Sequence, residues 1–232
     1  MDRPTPDIQR AEDAAEALLA EARSADDPRE RDNAIGYPDA LDVLTTAAAA
    51  AVVVALAWAS VASHAEIPFL WGVDLGIHEF GHLVTYWAPW QVCAAAGSFF
   101  QVAAPLGAAA YAFFARKSWR GAAVVLAWAG CSARNVAVYI ADAPYQRLAL
   151  WGGDGVLHDW AHLLAGRPML YAGAIAATVE GFAWVLIAAG FCLALVPTLV
   201  RARSAYRADS REAAFEARRA ALPIREPHGP IG

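Results

Sequence analysis

The sequence predicts an all-α fold: a polytopic membrane helix bundle of about five transmembrane or re-entrant segments with polar tails. Three observations predict it. No charged residue falls between Val43 and Ser63, between Leu83 and Ala115, or between Gly181 and Val200. Runs of about 20 apolar residues match the roughly 30 Å hydrocarbon core of a bilayer at helical rise. These runs also lack the polar face that a soluble core helix shows every 3.6 residues. Finally, 58% of the 232 residues are hydrophobic and 18% are charged, a balance that excludes a disordered chain and exceeds the apolar share of ordinary soluble domains.

Residues 1–40 form a polar extension rich in Asp, Glu, Arg and Pro. One helical pattern runs through Ile8, Ala11, Ala15, Leu18, Leu19 and Ala22, with Asp7 placed to cap it. The apolar domain, residues 41–200, divides into segments at about 41–62, 69–88, 92–115, 120–141 and 168–200. Trp58, Trp71, Trp87, Trp90, Trp119 and Trp151 lie near segment ends, where amphipathic rings favour the membrane interface. Only helices or closed barrels span a bilayer, and Ala-rich runs of this length suit helices. Residues 201–232 form a basic tail. Arg201, Arg203, Arg207, Arg211, Arg218 and Arg219 with Tyr206, Phe215 and Leu222 read as an amphipathic helix at an anionic lipid surface.

The net charge of -5 argues against a nucleic-acid partner. Cys93, Cys131 and Cys192 stand singly in apolar stretches and read as small core residues. The Arg116-Lys117-Ser118-Trp119-Arg120 loop and the carboxyl-terminal tail are expected on the cytoplasmic side. Three full crossings before Arg116 leave the amino terminus outside; one re-entrant segment puts it inside. The breakers within residues 87–105 make that stretch a candidate for the dip. A preference for Arg and Ala suggests a bacterial chain, hence a multi-pass protein of the inner membrane.

The chemistry concentrates in Asp74-Leu75-Gly76-Ile77-His78-Glu79-Phe80-Gly81-His82. This contains H-E-x-x-H on a helical segment, so His78 and His82 share one face and can bind one Zn²⁺ at about 2.0–2.1 Å. Glu79 sits beside that face, able to act on a water without entering the ligand set. Ionisable groups in an apolar helix are costly, which marks them as functional. Asp74, one turn before His78, either orients the free nitrogen of that ring or sits solvated at the segment mouth.

A third ligand has to come from the second half of the chain. His158-Asp159-Trp160-Ala161-His162 is the leading source: His158 is the expected ligand, and Asp159 either ligates or hydrogen-bonds. His162 caps the short helix or faces headgroups. Asp142 is the alternative third ligand, with Asn135 or Arg134 placed to hydrogen-bond a developing oxyanion. Arg134 otherwise pairs with Asp142 or Glu180 to avoid a lone intramembrane charge.

These strings, with Gly97-Ser-Phe-Phe-Gln101-Val-Ala-Ala-Pro105, Asn135-Val-Ala-Val-Tyr139-Ile-Ala-Asp142 and Gly152-Gly153-Asp154, resemble integral-membrane zinc metalloproteases of the site-2 protease type, and more closely their bacterial relatives. The resemblance covers roughly residues 70–165. It implies Zn²⁺ as cofactor, Glu79 as the base, membrane-protein or peptide substrates, and residues Gly97 to Gln101 holding an unfolded substrate strand. The N-x-x-P-x-x-x-L-D-G pattern that supplies the third ligand in that group is absent here. The other function that the residues allow is a zinc-binding membrane protein without proteolysis, serving metal handling or regulation.

Overall fold

The structure, a computed structural model, describes residues 36–148, 150, 156–164 and 168–221, together with Arg10, Asp13, Glu16, Ala17 and Ala20. Those five residues are helical and exposed; the stripe from Ile8 to Ala22 and its Asp7 cap lie outside the described residues. Among the described residues from 36 onward, six helices follow: α1 (Ala40–Ala62), α2 (Leu70–Thr85), α3 (Trp90–Phe114), α4 (Trp119–Asp142), α5 (Asp159–Leu163) and α6 (Pro168–Ala220). Four of them, α1, α3, α4 and α6, are long and apolar enough to cross a membrane. The protein is therefore an all-α membrane bundle. The chain forms two compact units, one of residues 40–198, the other of residues 1–39 with 199–232. In the second unit, Ala205 is buried and the Tyr37 hydroxyl hydrogen-bonds Asp209, which raises the Tyr37 pKa.

The bundle is assembled on α4, whose Ala122, Ala123, Ala127, Ala129, Gly130 and Ala133 are all buried. Lipid offers no hydrophobic drive between helices, so small residues that let backbones approach are what holds such a contact. At Gly130 a Cβ would lie 2.6 Å from the Ile187 side chain and 2.8 Å from the Ala183 carbonyl of α6. Val53, Ala127, Cys131 and Ile187 fill the space where α1, α4 and α6 meet.

Polar contacts at the two ends fix the helix directions. At one end Arg120 donates to the Asp42 carboxylate at 3.0 Å and to Thr46 Oγ1 at 3.2 Å, and the Thr46 and Thr198 hydroxyls lie 2.7 Å apart. At the other, Arg134 donates to Glu180 at 2.7 Å and to Ser60 at 2.9 Å, with its guanidinium over the Trp184 ring. Thus α1 and α4 run parallel and α6 antiparallel to both. The expected partnership of Arg134 is with Glu180; Asp142 is occupied elsewhere.

The second apolar segment departs from expectation. The 16-residue α2 spans only about 24 Å at helical rise, short of a bilayer. Its Asp74 accepts hydrogen bonds from Trp128 and Ser132, both mid-α4, while His78, one turn further on, lies beside Tyr139 near the end of α4. So α2 runs parallel to α4, as α1 does. Residues 63–69 turn the chain back into the bundle, carrying Ile67 to the Val53–Cys131 cluster before α2 starts. His64, Ala65 and Phe69 have φ of 53°, 73° and 69°, values that non-glycine residues adopt only under constraint. The re-entrant element is therefore α2. Residues 87–105, the candidate for the dip, instead form the turn into α3, which continues unbroken through a buried Pro105. The first 20 residues of the 201–232 tail are helical, as the amphipathic pattern predicts, and continue α6 without a break.

Removing Glu180 alone leaves the half-buried Arg134 within the bundle without its carboxylate. A Glu180→Ala variant is expected to lose about 3 kcal/mol of stability, while Arg134→Leu/Glu180→Leu loses much less. Thermal unfolding in detergent distinguishes the two.

Candidate metal centre

The helical period brings His78 and His82 onto the face of α2 that meets α3, their ring centroids 4.8 Å apart. The donor from outside α2 that joins them is Asp159, the first residue of α5. Its Oδ2 lies 3.1 Å from His78 Nε2 and 3.3 Å from His82 Nε2. These three donor atoms all lie within 4.8 Å of one another and form a group able to hold a metal ion. The Tyr139 hydroxyl fixes the carboxylate, donating to Oδ2 at 3.2 Å and accepting the Asp159 backbone N–H at 3.0 Å. Burial pushes the Asp159 carboxyl up, and the two imidazoles overcome this and hold it well below the usual carboxylate range.

Backbone carbonyls dictate which ring nitrogen faces Asp159. The Ala65 carbonyl can only accept, so Asn135 donates to it through Nδ2 at 3.2 Å. Asn135 Oδ1 is then the acceptor for Gln101 Nε2 at 2.9 Å. That leaves Gln101 Oε1 facing His78 Nδ1 at 3.1 Å, which must carry the proton. On His82, the Cys93 carbonyl sets the same tautomer, at 2.8 Å from Nδ1. Both Nε2 atoms are therefore the ones left to face the Asp159 carboxylate oxygen.

The close approach depends on Gly97. A Cβ there would lie 2.5 Å from His78 Nε2 and 2.6 Å from His82 Nε2. Neighbouring Gly81 meets the Ala96 carbonyl in the same way, so α2 and α3 touch backbone to backbone beneath the rings.

The three donors form one wall of a cavity of about 290 Å³. Glu66, Glu79 and Asn135 also line it, and Leu75, Val138, Leu148, Leu150 and Leu157 make its apolar side. Glu79 is exposed in it, next in sequence to His78 but outside the ligand group. Asn135 has one face on the cavity while both ends of its amide serve the chain that orients His78.

Three sequence expectations are corrected here. His158 is not in the ligand group: its Nδ1 accepts the Ala161 N–H as the cap of α5, and its ring stacks on Tyr139 at 4.1 Å. Its buried Nε2 has no hydrogen bond and lies 3.6 Å from Asp142, and burial lowers the imidazole pKa, keeping it neutral. Asp142, the alternative ligand, instead accepts the backbone N–H groups of Arg147 and Leu148 and so holds the connection that roofs the cavity. Asp74 neither orients His78 nor sits in solvent; it is buried against Trp128 and Ser132, and Gln101 has the orienting position. His162 packs its ring on Trp90 at 4.2 Å.

Sequence reasoning missed the parts of Gln101, Tyr139 and Gly97. The available signal was polarity out of place: Gln101 is one of two amide side chains, with Gln91, in the charge-free stretch from Leu83 to Ala115, and Tyr139 follows Asn135 by one helical turn.

No family model, curated protein or solved structure matches this chain.

Proposed function

We propose that the protein is a zinc-dependent, membrane-embedded peptidase that hydrolyses peptide bonds in or near the bilayer. The observation that carries the reading is the convergence of His78 Nε2, His82 Nε2 and Asp159 Oδ2 on one wall of a cavity that Glu79 shares. A tetrahedral zinc with bonds of about 2.0–2.1 Å spaces its ligand atoms by roughly 3.3 Å. The distances from Asp159 to the two rings, 3.1 and 3.3 Å, fit that spacing. Two imidazoles and one carboxylate also leave a fourth position open, as a catalytic site needs. The resemblance to site-2 proteases points to the same chemistry.

A zinc ion held there supplies Lewis acidity, making a water at the site acidic near neutral pH and polarising a carbonyl. The residues do the rest. Glu79, the carboxylate in the cavity that is not a ligand, accepts the proton of the attacking water and delivers it to the departing amine. Asn135 stands at the cavity wall to hydrogen-bond the substrate carbonyl, provided its amide is released from Gln101 or Ala65. Tyr139 holds Asp159 in place. The apolar side of the cavity receives a bulky side chain of an unwound substrate strand.

Cleavage of a model transmembrane substrate by the purified protein, abolished by a zinc chelator and restored by zinc, tests the reading. Stoichiometric zinc without any cleavage favours the second reading, a metal-handling or regulatory membrane protein. Its support is that the ligands cluster at one depth and not along a path through the bundle. Absence of bound metal in the wild type removes both readings.

The amide chain behind His78 gives a further expectation. Gln101→Leu leaves every ligand in place but frees His78 Nδ1, and is expected to weaken zinc binding by about 10–100-fold. Asn135→Leu acts in the same direction and more weakly, being one bond further away. Competition against a chromophoric chelator measures both.

A further inference from the structure

We propose that the metal centre opens on the non-cytoplasmic side of the membrane, close to the lipid surface, and that its substrates are extracytoplasmic, juxtamembrane polypeptide segments. The substrate clause rests on the peptidase reading; the orientation does not.

The bundle has two unlike ends. The start of α1, the start of α4 and the apolar limit of α6 lie together at one of them, joined by Arg120 to Asp42 and Thr46 and by Thr46 to Thr198. The chain flanking this end carries nearly all of its positive charge: Arg116, Lys117 and Arg120 in one short loop, and Arg201, Arg203 and Arg207 soon after Thr198. Of the 18 Lys and Arg, only Arg147 and Arg167 fall in the connections at the other end, and Arg134 lies within the bundle. Short connections rich in Lys and Arg stay in the cytoplasm. Because α2 re-enters and does not cross, α1 enters and α6 leaves the apolar bundle at the basic end, and the even number of crossings agrees with the charge.

The metal centre belongs to the opposite end. Asp159 and Tyr139 meet there, and Tyr139 is three residues, or about 5 Å along the axis, from the end of α4 at Asp142. The cavity is closed by residues of that end's connections, Glu66 from the turn before α2 and Leu148, Val156 and Leu157 from the connection after α4. Leu157 is 71% exposed while lining it, so the cavity reaches the surface there. Tyr86, Trp87 and Tyr145 stand exposed around the same end, where aromatic rings mark the interface. A segment leaving the bilayer on that side reaches the centre without crossing the bundle.

Single cysteines placed at Tyr145, Leu157 and Arg116, each in a Cys93→Ala/Cys131→Ala/Cys192→Ala background, test the orientation with a membrane-impermeant maleimide on intact cells of a bacterial host. Tyr145→Cys and Leu157→Cys are expected to label in intact cells, and Arg116→Cys only after permeabilisation. The reverse pattern, or labelling of all three in intact cells, overturns the proposal. Zinc content and cleavage, measured separately on the wild type, keep the two ideas apart. Correct labelling with no zinc removes the peptidase and leaves the orientation; bound zinc with reversed labelling does the opposite. If both hold, a model substrate with its cleavable segment outside the host cell is cut, and one with that segment in the cytoplasm is not.

Discussion

A Gly97→Ala variant is expected to lose its metal although no ligand has been changed. The added methyl would occupy the space 2.5–2.6 Å from both ligand nitrogens, well inside van der Waals contact. The rings cannot both rotate away, because the carbonyl of Cys93 and the amide of Gln101 hold their opposite nitrogens. Relief must come from separating α2 from α3, which also moves the rings from Asp159. Zinc affinity should fall by on the order of 100-fold, the upper range for changes behind the ligands. Gly107→Ala is the control: it lies on the same helix, with nothing within 4 Å of the added atom. Metal content of the two purified proteins, with helicity followed by circular dichroism, decides the matter. Equal zinc in both would show that the rings do not approach Gly97 as described.

Glu79→Gln should separate binding from chemistry. The amide keeps the size of the side chain and removes its ability to take a proton. Turnover on a model substrate is expected to fall by about 10²–10⁴-fold, the usual contribution of a positioned base. Zinc content should stay at the wild-type level, because Glu79 lies outside the ligand group. Unchanged turnover with zinc retained would mean that another group accepts the proton. Asp159→Asn is the counterpart, expected to lower zinc content and turnover together.

Much of the fold was legible because membrane helices announce themselves by one-dimensional means. Charge-free runs of bilayer length are a local property, and α1, α3 and α4 begin and end within a few residues of the segments at 41–62, 92–115 and 120–141. What was not legible is how α2 lies. The segment at 69–88 has the length of a crossing helix; its re-entry depends on the turn at residues 63–69 and on Asp74 finding Trp128 and Ser132, which are distant in sequence. The site divides along the same line. His78 and His82 follow from the helical period alone. The choice among His158, Asp159 and Asp142 does not, because neighbouring residues of a short helix point in different directions. His158 turned inward to cap α5 and Asp159 turned to the rings, and spacing does not distinguish these.

The ligands of this centre are 81 residues apart in sequence, His78 on the re-entrant helix and Asp159 beyond the last residue of α4. A chain emerging from the ribosome therefore offers an ion only two imidazoles until α4 has been threaded into the lipid and the following connection has been made. On the proposed reading, metal acquisition is a late event in biogenesis, a clasp fastened on a nearly finished fold. On the same reading, a truncated nascent chain ending before α5 would be inert, which would protect the secretion machinery from a hydrolase still passing through it.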